Sequence, residues 1–156
     1  MPQNIDYDVN LNLLTNISMY GEFYGLSRNL SKKKALEMLE AFNLKSYAYK
    51  VPENIPLSAL RIGMFIRAIL HSPEILLLDE PTLNLDPVFR NLFWDYINST
   101  CKNKTILFTT QNFIESEKYA DRIAILYDGE IKFIGSYQFL IESSKELNKF
   151  SIVCKY

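Results

Sequence analysis

The stretch that most restricts this chain is Ile75-Leu76-Leu77-Leu78-Asp79-Glu80-Pro81, four aliphatic residues that run directly into two acids and a proline. An aliphatic run with no polar face suits a strand buried on both sides, the usual condition of a parallel sheet. Such sheets bind ligands beyond the carboxyl ends of their strands, which is where Asp79 and Glu80 fall. A carboxylate there can hold Mg2+ directly or through water, and its neighbour can orient or deprotonate a water molecule.

The surrounding sequence supplies the helices that such a strand requires. Residues 1–14 are rich in Asn and Asp and read as irregular. Thr15 is the expected N-cap of a helix reaching about Tyr24, with Ile17, Tyr20, Phe23 and Tyr24 on its apolar stripe, and Gly25 and Ser27 mark the break. Ser31 is the expected cap of a second helix whose Ala35, Leu36, Leu39 and Phe42 recur at helical spacing. KSYAYKVPENIP (45–56) reads as loop, with Pro52 and Pro56 as breakers. A third helix, about Ala59 to Leu70, is apolar on nearly every side and should be buried.

Beyond the strand, Asp86 is placed to cap a helix with Pro87 in its first position, and Val88, Phe89, Leu92, Phe93 and Tyr96 form its expected inward face. TILFTT (105–110) reads as a strand, and Asn112 with Glu115 three residues on predicts a capping box. RIAILY and EIKFIG flank Asp128-Gly129, a two-residue hairpin signal. Ser136 opens a short helix, and KFSIVCK (149–155) suggests one more strand. The alternation predicts an α/β domain, its parallel sheet covered on both faces, with a helical segment inserted at the front.

With 156 residues, 48% hydrophobic and 22% charged, the chain is one domain or a piece of a larger one and has enough apolar material for a core. A net charge of −1 gives nucleic-acid binding no electrostatic support. Cys101 and Cys154 lie far apart, and the single His71 reads as an exposed loop residue, so a zinc site is not expected and the thiols read as reduced. The polar, acidic start is unlike a signal peptide, and no apolar run approaches the ~18 residues that span a bilayer.

DEPTLNLDP (79–87) resembles the Walker B and D-loop signature of ATP-binding cassette (ABC) ATPases, in which Asp-Glu-Pro-Thr is followed two residues later by Leu-Asp-Pro. Other stretches fall in the family's order. Pro2-Gln3 looks like the Q-loop, and LLTNISMYGEFYGLS resembles the start of the helical subdomain. RAILHSPEILLLDEP matches the approach to Walker B, and TILFTTQNFIESEKYADRIAILYDGEIKFIGSYQFL the switch strand, its helix and the closing hairpin. The resemblance covers nearly the whole chain. It implies a partial P-loop NTPase fold of the ABC type: residues 1–72 as Q-loop and helical subdomain, and 73–156 as the C-terminal half of the α/β core.

The resemblance also implies roles. Gln3 senses the metal and γ-phosphate, Asp79 holds Mg2+ with it, Glu80 positions the attacking water, and Asp86 works across a dimer interface. Three departures stand beside it. The Walker A loop, whose glycines and Lys-Ser/Thr cradle phosphates, is not found: none of the five glycines precedes Lys-Ser or Lys-Thr. In the family it lies upstream of the Q-loop, so the chain is expected to be the rear portion of a cassette. The signature Leu-Ser-Gly-Gly-Gln has two registers. With Leu57-Ser58 as its start, Ser58 is the signature serine and Ala59-Leu60-Arg61 replace Gly-Gly-Gln; counted back without a gap, 55–59 fall on the motif. Finally, the switch histidine is replaced by Gln111, which can donate a hydrogen bond to phosphate but cannot carry its proton.

The resemblance implies an ATP-binding subunit of an ABC transporter that uses ATP and Mg2+ when completed by a segment bearing Walker A. Its partners would be a transmembrane permease subunit, a second nucleotide-binding domain in a head-to-tail dimer and a separate N-terminal half, with no nucleic acid. It would sit at the cytoplasmic face of the membrane, and multidrug and polysaccharide-type exporters are the cassettes it most resembles. A noncatalytic, degenerate cassette remnant acting as an interaction partner is the main alternative. The rear lobe of a chromosome-maintenance (SMC-type) ATPase is another, disfavoured by the lack of sustained heptads at the front.

Overall fold

The computed structural model describes residues 1–146, and the strand expected over 149–155 lies outside them. The chain forms two compact units, one from Met1 to Thr109 and the other from Thr110 onward. The first contains α1 (Leu13–Phe23), α2 (Arg28–Ala41), α3 (Leu57–Ile69), β1 (Ile75–Asp79), α4 (Pro87–Thr100) and β2 (Thr105–Thr109). The expected loop at 45–56 carries two single turns of 3-10 helix, Lys45–Tyr47 and Pro52–Asn54.

α3 is the centre of this unit, as its all-round apolar sequence predicts: every residue from Ala59 to Arg67 is buried. Phe65 sits within an aromatic cluster, its ring centroid 4.5 Å from Phe93, 5.9 Å from Tyr96 and 6.0 Å from Phe42. Trp94 continues the cluster to Phe108 of β2 at 5.1 Å, so aromatic rings join α2, α3, α4 and the sheet. Each ring pair adds roughly 0.5–1.5 kcal/mol to what burial alone supplies.

Two helix starts differ from the sequence expectation. α1 begins ahead of Thr15, because Leu13 and Leu14 are buried and Asn12 is the cap, its Oδ1 accepting the Thr15 amide at 2.9 Å. α2 is capped by Ser27 rather than Ser31. Ser31 is instead fully buried and donates its hydroxyl to the Ser18 carbonyl at 2.5 Å. Gly21 makes that contact possible, since a Cβ there would lie 2.1 Å from the Ser31 Oγ. Phe23, Tyr24 and Val88, expected on inward faces, are exposed at 73%, 62% and 68%; Phe93, Trp94 and Ile97 form the buried face of α4.

β1 and β2 pair in parallel from Ile75 opposite Thr105 to Asp79 opposite Thr109. Leu76 and Leu78 are buried on the face that carries Phe108 and Trp94. The opposite face presents Ile75, Leu77 and Leu107, each more than 60% exposed. Among the described residues this sheet is therefore covered on one face, not on the two that its sequence predicts.

The second unit contains α5 (Phe113–Tyr119), the antiparallel pair β3 (Ile123–Tyr127) and β4 (Glu130–Gly135), and α6 (Tyr137–Glu146). Asp128 and Gly129 turn the hairpin with φ of 51° and 74°, the left-handed pair a two-residue turn requires. Phe113 packs on Tyr137 at 5.5 Å and Phe133 on Phe139 at 5.8 Å. Among the described residues no helix is long and apolar enough to cross a membrane.

Candidate functional site

Strand register builds the site. Because β1 and β2 have equal length and pair without a shift, Asp79 ends opposite Thr109. The Thr109 hydroxyl donates to Asp79 Oδ1 at 2.6 Å, and its oxygen accepts the Glu80 amide at 3.0 Å. One side chain thus fixes the carboxylate of the first acid and the backbone of the second. Asp79 is exposed at the carboxyl end of β1. Sequence reasoning missed Thr109, because its place opposite Asp79 follows from the register of the two strands and not from either strand alone.

Glu80 leaves the strand with φ 44°, a left-handed conformation that costs a residue with a Cβ roughly 1 kcal/mol or more. Its carbonyl accepts the Leu83 amide at 3.1 Å and faces Arg61 Nη1 at 3.5 Å. Pro81 and Thr82 are buried, and the Leu85 amide returns to the Thr82 carbonyl at 3.1 Å, closing a compact turn through Asn84, whose φ is 61°. Asp86 follows as the cap of α4, with Oδ1 accepting both the Val88 and Phe89 amides at 3.0 Å, as its position before Pro87 predicts.

Gln3 is exposed. Two residues earlier, Met1 donates to the Leu77 carbonyl at 2.6 Å and accepts the Asp79 amide at 3.0 Å, a parallel bridge onto the free edge of β1. That bridge directs the chain past the carboxyl end of the strand. Tyr7 then anchors it to α3 by donating to the Leu60 carbonyl at 2.7 Å, in a space that Gly63 leaves open, since a Cβ there would lie 2.4 Å from the Tyr7 hydroxyl. Arg67 is buried over the Tyr20 ring at 3.6 Å and donates to the Asp6 carbonyl.

Ser58 is the second residue of α3 and half-buried; the position before the helix is Pro56, and no side chain caps it. Ala59, Leu60 and Arg61 are buried helix residues. Arg61, in the place of a signature glutamine in one register, turns inward toward Glu80.

Gln111 belongs to the second unit, is exposed, and directly follows Thr110. Thr110 donates to Glu115 Oε2 at 3.0 Å and accepts the Asn112 amide at 3.0 Å, so the expected capping box is relayed through a threonine hydroxyl. His71 departs from the exposed loop residue expected: it is half-buried and stacked on Tyr24 at 3.8 Å. Burial, and then the charge of Lys104, lowers its pKa.

No set of three His, Cys, Asp or Glu side chains among the described residues could hold a metal alone. The donors at the strand end are an exposed, oriented Asp79 with Glu80 beside it. That set fits Mg2+, which is commonly held by one or two carboxylates with water and substrate phosphates completing its shell.

A parallel strand ending in this carboxylate pair, backed by helices and preceded by a helical segment, is consistent with a partial P-loop NTPase fold, the fold shared by the solved structures that superpose on this chain. The chain is similar over 131 residues (84% of it, 34% identical) to a probable multidrug ABC transporter ATP-binding protein of Escherichia coli. It is 31% identical over 144 residues, 92% of the chain, to the Nod factor export ATP-binding protein of Burkholderia lata. The chain spans 23% and 47% of those relatives' lengths. A solved ATP-binding subunit of an ABC transporter superposes with a TM-score of 0.81 at 26% identity, covering 95% of this chain and 67% of that one. An ATP-binding cassette solved as a dimer with ADP and Pi shares the fold, with a TM-score of 0.75. No family model matches. The chain belongs to the ATP-binding proteins of ABC transporters and corresponds to a partial, C-terminal portion of them.

Proposed function

We propose that this chain is the rear portion of an ABC transporter ATP-binding subunit, which couples MgATP binding and hydrolysis to transport across a membrane. The observation that carries this is the Asp79 carboxylate, oriented by Thr109 at the end of β1 with Glu80 next to it. In this reading Asp79 and Gln3 hold Mg2+ and Glu80 orients the attacking water. Ser58 and Asp86 act at the interface with a second nucleotide-binding domain, and Gln111 donates a hydrogen bond to the γ-phosphate. Mg2+ bound to ATP neutralises charge on the phosphate oxygens. The phosphate cradle comes from a front segment bearing Walker A, and a transmembrane permease is the partner at the cytoplasmic face.

The test joins the chain to a compatible front half and measures phosphate release. Hydrolysis that falls at least 100-fold in Glu80→Gln while MgATP still binds supports the reading; hydrolysis indifferent to Glu80→Gln overturns it. A second, noncatalytic reading is favoured by one feature: neither register of the signature carries two glycines, and with Ser58 as its serine Ala59, Leu60 and Arg61 are buried in a regular helix. It predicts nucleotide binding without turnover in the joined protein.

A further inference from the structure

Arg61 is 5% exposed, and the hydrogen-bonding of its guanidinium is incomplete, its Nε having no partner among the described residues. Burying a guanidinium is costly unless opposite charge or hydrogen bonds compensate. On its open side lies the end of β1. Its Nη1 faces the Glu80 carbonyl at 3.5 Å, and Glu80 and Asp79 are the two charges that favour its protonated form against burial. The fold forces this arrangement. Arg61 is on α3, whose Ile62, Phe65 and Ile66 are fully buried in the core, so the helix that carries it is held in place.

We propose that Arg61 is the resident counter-cation of the Asp79–Glu80 pair, a positioning residue that steadies the strained Glu80 backbone from inside while weakening the pair's attraction for a free divalent cation. This rests on the reading of Asp79 as the metal carboxylate. The expected consequence is that a free divalent cation binds the pair less tightly than it would without Arg61, and that phosphate ligands favour its entry.

The test uses Mn2+ alone, titrated into the full chain and followed by electron paramagnetic resonance, with circular dichroism as a folding check. Arg61→Met keeps the length and apolar stem of the side chain, and Arg61→Gln also keeps a donor for the Glu80 carbonyl. Both should tighten Mn2+ binding on the order of tenfold, because removing one buried charge near a divalent ion is worth more than a kcal/mol at intermediate dielectric. Arg61→Lys, which retains the charge, should stay within about twofold of the unaltered chain. A purely structural role for Arg61 would not sort the variants by charge. The gain should vanish in Arg61→Met combined with Asp79→Asn. The rest of the chain is common to every variant, so the comparison isolates Arg61. Unchanged or absent Mn2+ binding in both Arg61→Met and Arg61→Gln overturns the proposal. A gain that survives Asp79→Asn also overturns it. Mn2+ binding that is lost with Asp79→Asn yet indifferent to Arg61 refutes the counter-cation alone. Binding indifferent to Asp79 in every background refutes the metal reading itself.

Discussion

Thr109 holds Asp79 and Glu80 at once: its hydroxyl donates to the Asp79 carboxylate at 2.6 Å and accepts the Glu80 amide at 3.0 Å. The two residues are neighbours in sequence but face different tasks, and a single hydroxyl on the adjacent strand sets both. Thr109→Val keeps the shape and removes both bonds. It should lower stability by about 1 kcal/mol, the net value of an ordinary hydrogen bond rather than of a buried one to a charged group, because the site is exposed. Thr109→Ser should restore most of it. Urea unfolding midpoints of the three proteins check this.

The exposed face of the parallel sheet makes the chain prone to self-association. Ile75, Leu77 and Leu107 form a contiguous apolar patch on strands of a kind normally covered on both sides. Sedimentation velocity should find species larger than the 18.2 kDa chain. Leu77→Lys with Leu107→Glu, which pair across the strands, should shift the distribution toward monomer. A monodisperse monomer before any substitution would contradict this.

Alkaline stability should depend on Tyr7. Burial raises its phenol well above the ~10 of a free tyrosine, with Arg67 opposing the shift. The unfolded chain therefore releases this proton at lower pH than the folded chain does. The resulting stability is complete below pH ~10 and declines as the pH rises from there toward the higher folded value. Tyr7→Phe should lose about 1 kcal/mol at neutral pH with the bond to Leu60, yet decline less steeply above pH ~10. Denaturant midpoints measured across that range decide it.

In the chain joined to a front half, Gln111→His should raise turnover with little change in MgATP affinity. A neutral amide donates one hydrogen bond, whereas an imidazolium adds charge where it builds in the transition state, and a preorganised donor there is worth about 3 kcal/mol. Glu80→Gln in the same protein should abolish the gain. A flat kcat for Gln111→His, in a protein that binds MgATP and dimerises, would favour the noncatalytic reading.

The elements legible in the sequence were those set by local chemistry. The aliphatic run 75–78 ending in acids, Pro87 behind Asp86 and the Asp128-Gly129 turn each restrict their own backbone, and all three formed where their residues imply. The helix starts at Asn12 and Ser27 were not legible. Thr15 and Ser31 are equally good caps in isolation, and the choice depends on Leu13, Leu14 and Ser31 being buried by distant residues. His71 likewise reads as a loop residue until Tyr24 stacks on it from 47 positions earlier in the chain.

The sequence by itself determined the carboxylate pair and its place at a strand end, because the apolar run and the acids are contiguous and need no partner to be recognised. Only the tertiary structure decided what surrounds the pair. Thr109 comes opposite Asp79 through a strand register spanning 30 residues, and Arg61 comes against the Glu80 carbonyl through the packing of the buried helix α3. Contacts of that kind depend on how whole elements pack, and no local pattern of residues encodes them.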